Sequence, residues 1–402
     1  MRRIASLAAL LSLAPLPAAA QAEVDLGPPF GTLRLVDEVV CGDPEDPHPF
    51  REDPAGASRI ESVLGRSARV MESTGGSRYF AYRVGADAEL VAGRAYVLDV
   101  EYPEDAPRTM FIANRGAEQI RGLSTGAAIG DARGGYTNNG LESIDYPLSG
   151  GWESHRTLFY LHERFAGIEL QRGPDPRPDT PDDGFWVILA QLAADDAPLS
   201  AGAACARIRL FEVPDPEALY ASIAYPPEPL PRRFIFWREE MSDNAIGTRN
   251  GNVPVTAEAV TWHEHRARLM RFLGVNTYSK DLLEFGANQG WDSSRYGGNS
   301  WVHQSAYPML WSQIIDMLAE HGHYVLPYYE YTGSKGDSGL GFQRRAEPLS
   351  RPRYQTVDPP RCGGYTHITW SEVANVDVTD PDVFEDFRRM LEITIEIGRA
   401  HV

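Results

Sequence analysis

The sequence predicts a two-part chain: an all-β sandwich over residues 23–220, then an α/β segment over 233–402 that reads as the opening of a (β/α)8 barrel. Three observations carry this expectation. Up to residue 220, short apolar or alternating runs are separated by turn-rich stretches, the pattern of an antiparallel sandwich. A stiff, proline-rich break follows, Tyr225-Pro-Pro-Glu-Pro-Leu-Pro231, inside a linker over 221–232. After the break, strand-like runs alternate with helical ones, and each strand-like run precedes a long loop.

The first 22 residues are expected to be a signal peptide. Arg2 and Arg3 supply the positive start, and Ile4 to Leu16 is an apolar run shorter than the roughly 20 residues that span a bilayer. Small residues at Ala18-Ala-Ala-Gln-Ala22 offer the cleavage site, placed after Ala22 with Ala20 as the other option. An anchor helix is the competing reading, but Pro15 and Pro17 break the run. A secreted or periplasmic protein with no membrane span is therefore expected. With 38 basic against 56 acidic side chains the net charge is −18, a surface that repels nucleic acid and anionic membrane. Lys280 and Lys335 are the only lysines, an even bias along the chain that reads as coding preference.

In order, the strand-like runs of the first part are Leu33 to Val40, Tyr79 to Val84, Ala95 to Tyr102, Thr109 to Ala113, Thr157 to Leu161, Phe185 to Leu189 and Ala206 to Val213. Cys41 follows the first and Cys205 opens the last. First and last strands of a sandwich are often neighbours, so a Cys41–Cys205 disulfide is expected in an exported chain. Cys362 stands beside Gly363 and Gly364 with no partner left. None of the three has metal-ligand spacing, and no metal or cofactor is expected. The acidic stretch Gly173 to Gly184 reads as a solvated loop in preference to a calcium site.

In the second part, Arg233-Phe-Ile-Phe-Trp237 is a short strand. Thr256 caps a helix running to Leu273, Gly274 stops it, and Val275 to Tyr278 is the next strand. A helix from about Ser305 to Glu320 ends at Gly322, before the strand Tyr324 to Tyr329. Asp380-Pro381 starts a further helix as N-cap and first residue. The long loops favour a barrel over an open sheet, and the lack of a glycine-rich phosphate motif weighs against a dinucleotide fold. Residues 233–402 fall short of the about 250 a barrel takes, so about three strand–helix units are expected. Glu396 to Val402 resembles a translated sequencing adapter, with a natural helix end at Gly398 as the other reading.

Barrel chemistry sits after the strands. There the sequence places Arg238 and Glu240, then Lys280, then Glu330, with Trp291, Trp301, Tyr328 and Tyr331 as flat surfaces for sugar rings. These eight are the candidate substrate-binding residues. His263-Glu264-His265 lies inside a helix without the spacing of a zinc motif, and His321-Gly322-His323 precedes a strand on the stability side.

Two resemblances extend this reading. Tyr96-Val-Leu-Asp-Val-Glu-Tyr-Pro103, Gly151-Trp152 and Ala206-Arg-Ile-Arg-Leu-Phe-Glu-Val213 resemble strands of jelly-roll, galactose-binding-like modules attached to carbohydrate enzymes. Arg233 to Glu240, Phe272 to Tyr278 and Ala319 to Tyr331 resemble bacterial TIM-barrel glycoside hydrolases. The resemblance implies an exported glycoside hydrolase acting on a poly- or oligosaccharide. In the largest related group the acid/base follows strand four and the nucleophile strand seven, so this stretch is expected to be inactive by itself, its catalytic pair unassigned. A structural role is expected for the sandwich, because sugar binding needs exposed aromatics and the sequence does not say which are exposed. The alternatives are a non-catalytic glycan-binding or cell-envelope protein on the same two folds, and a metal-dependent hydrolase.

Overall fold

The computed structural model describes residues 22–72, 76–117, 119–125, 148–165, 167–168, 179–191, 200–222, 224, 226–227, 234–239, 259–280 and 308–327, with Pro381 and Arg388, both helical. The expected signal segment and most of the proline-rich break lie outside these. In the first part the strands are β1 (Glu23–Asp25), β2 (Thr32–Val40), β3 (Phe50–Asp53), β4 (Ser58–Val63), β5 (Arg66–Met71), β6 (Arg78–Val84) and β7 (Ala95–Pro103). They continue as β8 (Arg108–Asn114), β9 (Gln119–Thr125), β10 (Trp152–Tyr160), β11 (Phe185–Gln191), β12 (Ala204–Cys205) and β13 (Arg207–Val213).

These strands form two facing five-stranded antiparallel sheets. Sheet A has the order β1-β2-β13-β7-β10 and sheet B the order β3-β6-β11-β8-β9. From β6 onward the chain alternates between them, β7 in A, β8 and β9 in B, β10 in A, β11 in B and β13 in A, which is the doubly wound path of a jelly roll. A side sheet, β12-β5-β4, closes one end. Side-chain alternation makes the core. On β7, Tyr96, Leu98, Val100 and Tyr102 point inward, against Phe80, Tyr82, Phe159, Phe185 and Leu189. Ala95 and Val97 belong to an apolar cluster on the outer face of sheet A.

The short β1, β3 and β12, the β4–β5 hairpin and β9 are additions to the strands expected from sequence. The hairpin turn is Leu64-Gly65, both at positive φ (47° and 77°). A leucine in that conformation is uncommon, so the usual Asn-Gly signal is missing.

The second part corrects the expectation most. It contributes β14 (Phe236–Glu239), α1 (Ala259–Leu273), β15 (Thr277–Lys280), α2 (Pro308–Glu320) and β16 (Tyr324–Pro327). Gly274 and Gly322 end the two helices at positive φ. In each case the following amide reaches back to the helix, Val275 N to Met270 O at 3.0 Å and His323 N to Leu318 O at 2.9 Å, the Schellman arrangement. Among the described residues the three strands form a parallel sheet in the order β14-β15-β16. No (β/α)8 barrel is evident among the described residues, and the protein is predominantly β. Strand–helix alternation dictates parallel pairing; closure depends on strand number, tilt and stagger, which no local pattern encodes.

Helix α1 serves two layers. Met270, Ala267 and Trp262 pack with Tyr278, Ile314 and Leu318 of the parallel layer. Its other side covers sheet A, where Leu269 joins Leu33, Val97, Tyr160 and Phe211, and Phe272 stacks on Phe30 at 5.9 Å. Arg268 lies 4.0 Å over the Tyr160 ring and donates to Gly93 O at 3.0 Å. Sheet A is thereby an interior layer along half of its outer face.

Candidate functional site

The outer face of sheet B carries a groove of about 860 Å³. Strand register builds it. Asp53 pairs with Tyr79, Tyr79 with Ala190, Ala190 with Phe111, and Phe111 with Gly122, one transverse row over all five strands. The small Ala190 thus lies between two half-exposed rings. Tyr79 and Phe111 stand two strands apart, roughly 10 Å at the usual strand spacing. A Cβ on Gly122 would sit 3.3 Å from the Phe111 ring, so the glycine leaves that ring its place. The next row is Arg51, Ala81, Ile188, Ala113 and Ile120 in register. Beyond it Trp186 is buried under Arg83, whose guanidinium lies 5.2 Å from the ring and pairs with Asp179 at 2.7 Å.

Charged groups rim this floor: Arg51, Glu52, Asp53, Arg78 and Arg115. Glu52 is committed to its own turn. It accepts from Gly56 N at 2.6 Å, Ser58 N at 3.0 Å and Ser58 Oγ at 2.6 Å. Gln191, at the end of the groove, accepts from Ala203 N at 2.8 Å, while its buried amide nitrogen has no hydrogen-bond partner among the described residues. Flat aromatic faces beside polar side chains are what a sugar ring requires: apolar C–H faces to cover and hydroxyls to bond.

The charged half of sheet A is closed by contrast. Asp99 is fully buried and receives Arg156 Nε and Arg209 Nε, each at 3.0 Å. Arg66 binds Glu101 with both nitrogens, at 2.8 and 2.6 Å, and this bond holds the Glu101 carboxyl below the usual carboxylate range. These charges satisfy one another.

Of the eight residues expected to bind substrate, the structure describes Arg238 and Lys280. Arg238 pairs with Ser279, and Glu239 with Lys280, at the carboxyl ends of β14 and β15. Glu240, Trp291, Trp301, Tyr328, Glu330 and Tyr331 lie outside the described residues, as does Cys362. Cys41 and Cys205 are buried thiols with their sulfurs 3.6 Å apart. They meet because Gly202, at φ 101°, lets the chain touch β5; a Cβ there would lie 1.7 Å from Met71 O. The His263-Glu264-His265 run is helical. His265 meets Glu163 at 3.2 Å and stacks on His162 at 5.3 Å, between α1 and sheet A. His323 Nε2 donates to Ala267 O at 3.0 Å, a packing contact. Of the acidic stretch, Asp179 is paired with Arg83 and Asp183 caps Thr180.

Sequence reasoning missed the groove. Its signal was the small Ala81 and Ala190 beside the larger Tyr79 and Ile188 on the outward face of neighbouring strands, which becomes a groove only once the register is known.

No family model matches the chain, and no curated protein matches it. Solved structures do. They include a carbohydrate-binding module of Cellvibrio mixtus lichenase 5A in complex with cellotriose, at 9% identity and a TM-score of 0.22, covering 44% of this chain and 98% of the module. A family 35 carbohydrate-binding module from Clostridium thermocellum matches at 14% identity and 0.22, covering 41% and 92%. The exo-beta-1,3-galactanase of Phanerochaete chrysosporium matches at 10% and 0.23, covering 44% of this chain and 30% of its own. Likeness at this level carries no functional weight. The class of the first part, a jelly-roll module, is set by its strand order.

Proposed function

We propose that this protein binds a poly- or oligosaccharide through the outer face of sheet B, without cleaving it there. The observation that carries the reading is the transverse row Asp53, Tyr79, Ala190, Phe111, Gly122: two half-exposed rings flanking a shallow floor, with hydrogen-bonding groups at the rim. The ring separation is about the length of a disaccharide. This replaces the structural role expected for the sandwich, since sugar binding needs accessible aromatics and Tyr79 and Phe111 are half-exposed. Export belongs to the same reading, and β1 begins at Glu23, one residue after the expected cut.

The test is retention of the chain on a panel of soluble plant, algal and bacterial polysaccharides in native affinity gels. Retardation by at least one glycan, reversed by its free oligosaccharide, is expected. No retardation on any of them would overturn the reading. Release of new reducing ends from the retained glycan would move it to a glycoside hydrolase.

A further inference from the structure

We infer that the contact between helix α1 and sheet A is an acid-sensitive latch: uptake of a proton by His162 separates the helix from the sheet while the jelly roll stays folded. A stack of rings at the seam carries this. His162, just past the end of β10, is buried. Its ring lies 5.3 Å from that of His265 on α1, nearly parallel at 19°, and 6.0 Å from the ring of Trp262. His265 in turn stacks on Tyr160 at 6.2 Å. His265 Nε2 meets Glu163 at 3.2 Å, so that carboxylate serves His265. Two imidazoles face to face in a buried seam repel once both are charged. Burial above all, with His265 and Arg266 adding to it, holds the His162 imidazole well below its usual value.

The other titratable groups around the seam keep one charge state through the same range or face elsewhere. Arg268 lies over the Tyr160 ring and donates to Gly93 O. Arg266 lies 3.7 Å over the Trp262 ring, and Arg121 of β9 adds positive charge near it. Tyr160 shares its hydroxyl with Tyr220 at 3.3 Å and stays neutral, because burial raises its pKa. His263 and Glu264 turn to the parallel layer, toward Tyr278 at 3.4 Å and His321 at 3.8 Å. Release can be local because the cores are divided. Among the described residues the core between the two sheets draws nothing from α1. The helix gives Leu269 and Phe272 to the cluster on sheet A, and Trp262, Ala267 and Met270 to the core of its own layer. It can therefore leave the sheet with that layer intact. Docked, His162 takes a proton only against burial; released, it takes one at about 6.5. Docking is whole above that value and weakens as pH falls below it, by about tenfold per unit for one proton.

The experiment is amide hydrogen exchange of the intact chain between about pH 7.5 and about pH 5, read by mass spectrometry as protection relative to the unfolded chain at the same pH. The expected result is that protection of α1 falls by about tenfold per pH unit below about 6.5, while the core strands β7 and β11 keep theirs. His162→Phe keeps a flat ring and takes no proton, so its α1 protection should stay level across the range. His162→Gln serves the same purpose if the phenylalanine loosens the helix already at neutral pH. His265→Gln still donates to Glu163 and should retain the fall with pH. Loss of protection by α1 and the core strands together would overturn the inference, since the acid would then unfold the whole. Level α1 protection in the unaltered chain, a fall that survives both His162 substitutions, or one abolished by His265→Gln would overturn it equally.

Discussion

The two sheets of the jelly roll are built from the same alternation and end with opposite surfaces. Sheet A shows its outer apolar residues, Val97, Tyr160 and Phe211, to helix α1, which buries them with Leu269. Sheet B shows Tyr79 and Phe111 half-exposed over Ala190. The charges of sheet A are bonded to each other. The comparison teaches that an outward-facing aromatic on a strand is an ambiguous signal. What decides between packing and binding is whether the rest of the chain returns to cover it.

Substitutions can break this contrast. Leu269→Asp places a charge in the apolar cluster between α1 and sheet A and should cost about 3 kcal/mol or more, read as a lower urea midpoint. Tyr79→Ala on sheet B removes a half-exposed ring and should cost within about 1 kcal/mol. Equal losses would mean that the two faces are buried alike.

The cysteines test the closure of the sandwich. Burial pushes the Cys41 thiol well above its usual range, and Cys205 adds to the shift, so the Cys41 sulfur is not a ready nucleophile. With their sulfurs 3.6 Å apart, transfer of two electrons and two protons to oxidised glutathione would join them. The expected outcome is resistance to alkylation after unfolding in oxidant, with about 2–5 kcal/mol of added stability from a loop this long. Full alkylation of both after prolonged oxidation would rule the bridge out.

Two histidines give the smallest effect, with opposite signs. His48 bonds Asp37 at 3.0 Å and Asp46 at 2.7 Å, and these carboxylates, Asp37 foremost, raise its pKa to about 9. Its contribution is whole below the unfolded value of about 6.5 and fades as pH rises through about 9. His162 is buried beside His265 and Arg266, and burial above all lowers its pKa well below the usual value. The unfolded chain therefore takes that proton first, and stability falls as pH drops below about 6.5. Urea midpoints should peak near neutrality. His48→Gln should flatten the alkaline arm and leave the acid arm in place; loss of the acid arm instead would reverse the assignment.

Much of the local structure was legible in the sequence. The long strands β2, β7 and β13 follow from apolar or alternating runs, and both helix ends follow from Gly274 and Gly322. Three features were not. The Leu64-Gly65 turn lacks a usual turn pair. A barrel was read from a βαβ rhythm that an open three-stranded sheet shares. Helix α1 carries Leu269 and Met270, adjacent in sequence, into two different layers, a division that an apolar stripe does not announce. The groove needs Asp53, Tyr79, Ala190 and Phe111 in one row, and register between strands far apart in sequence is a tertiary fact.

The central claim, that the groove on the outer face of sheet B is the glycan site, is tested most directly by Tyr79→Ala combined with Phe111→Ala. Affinity for the retained glycan is measured by titration calorimetry, beside the unfolding midpoint of the same sample. The account predicts binding weakened by about a hundredfold with the midpoint nearly unchanged. Undiminished affinity in a folded double variant would contradict it and place the binding surface elsewhere on the chain.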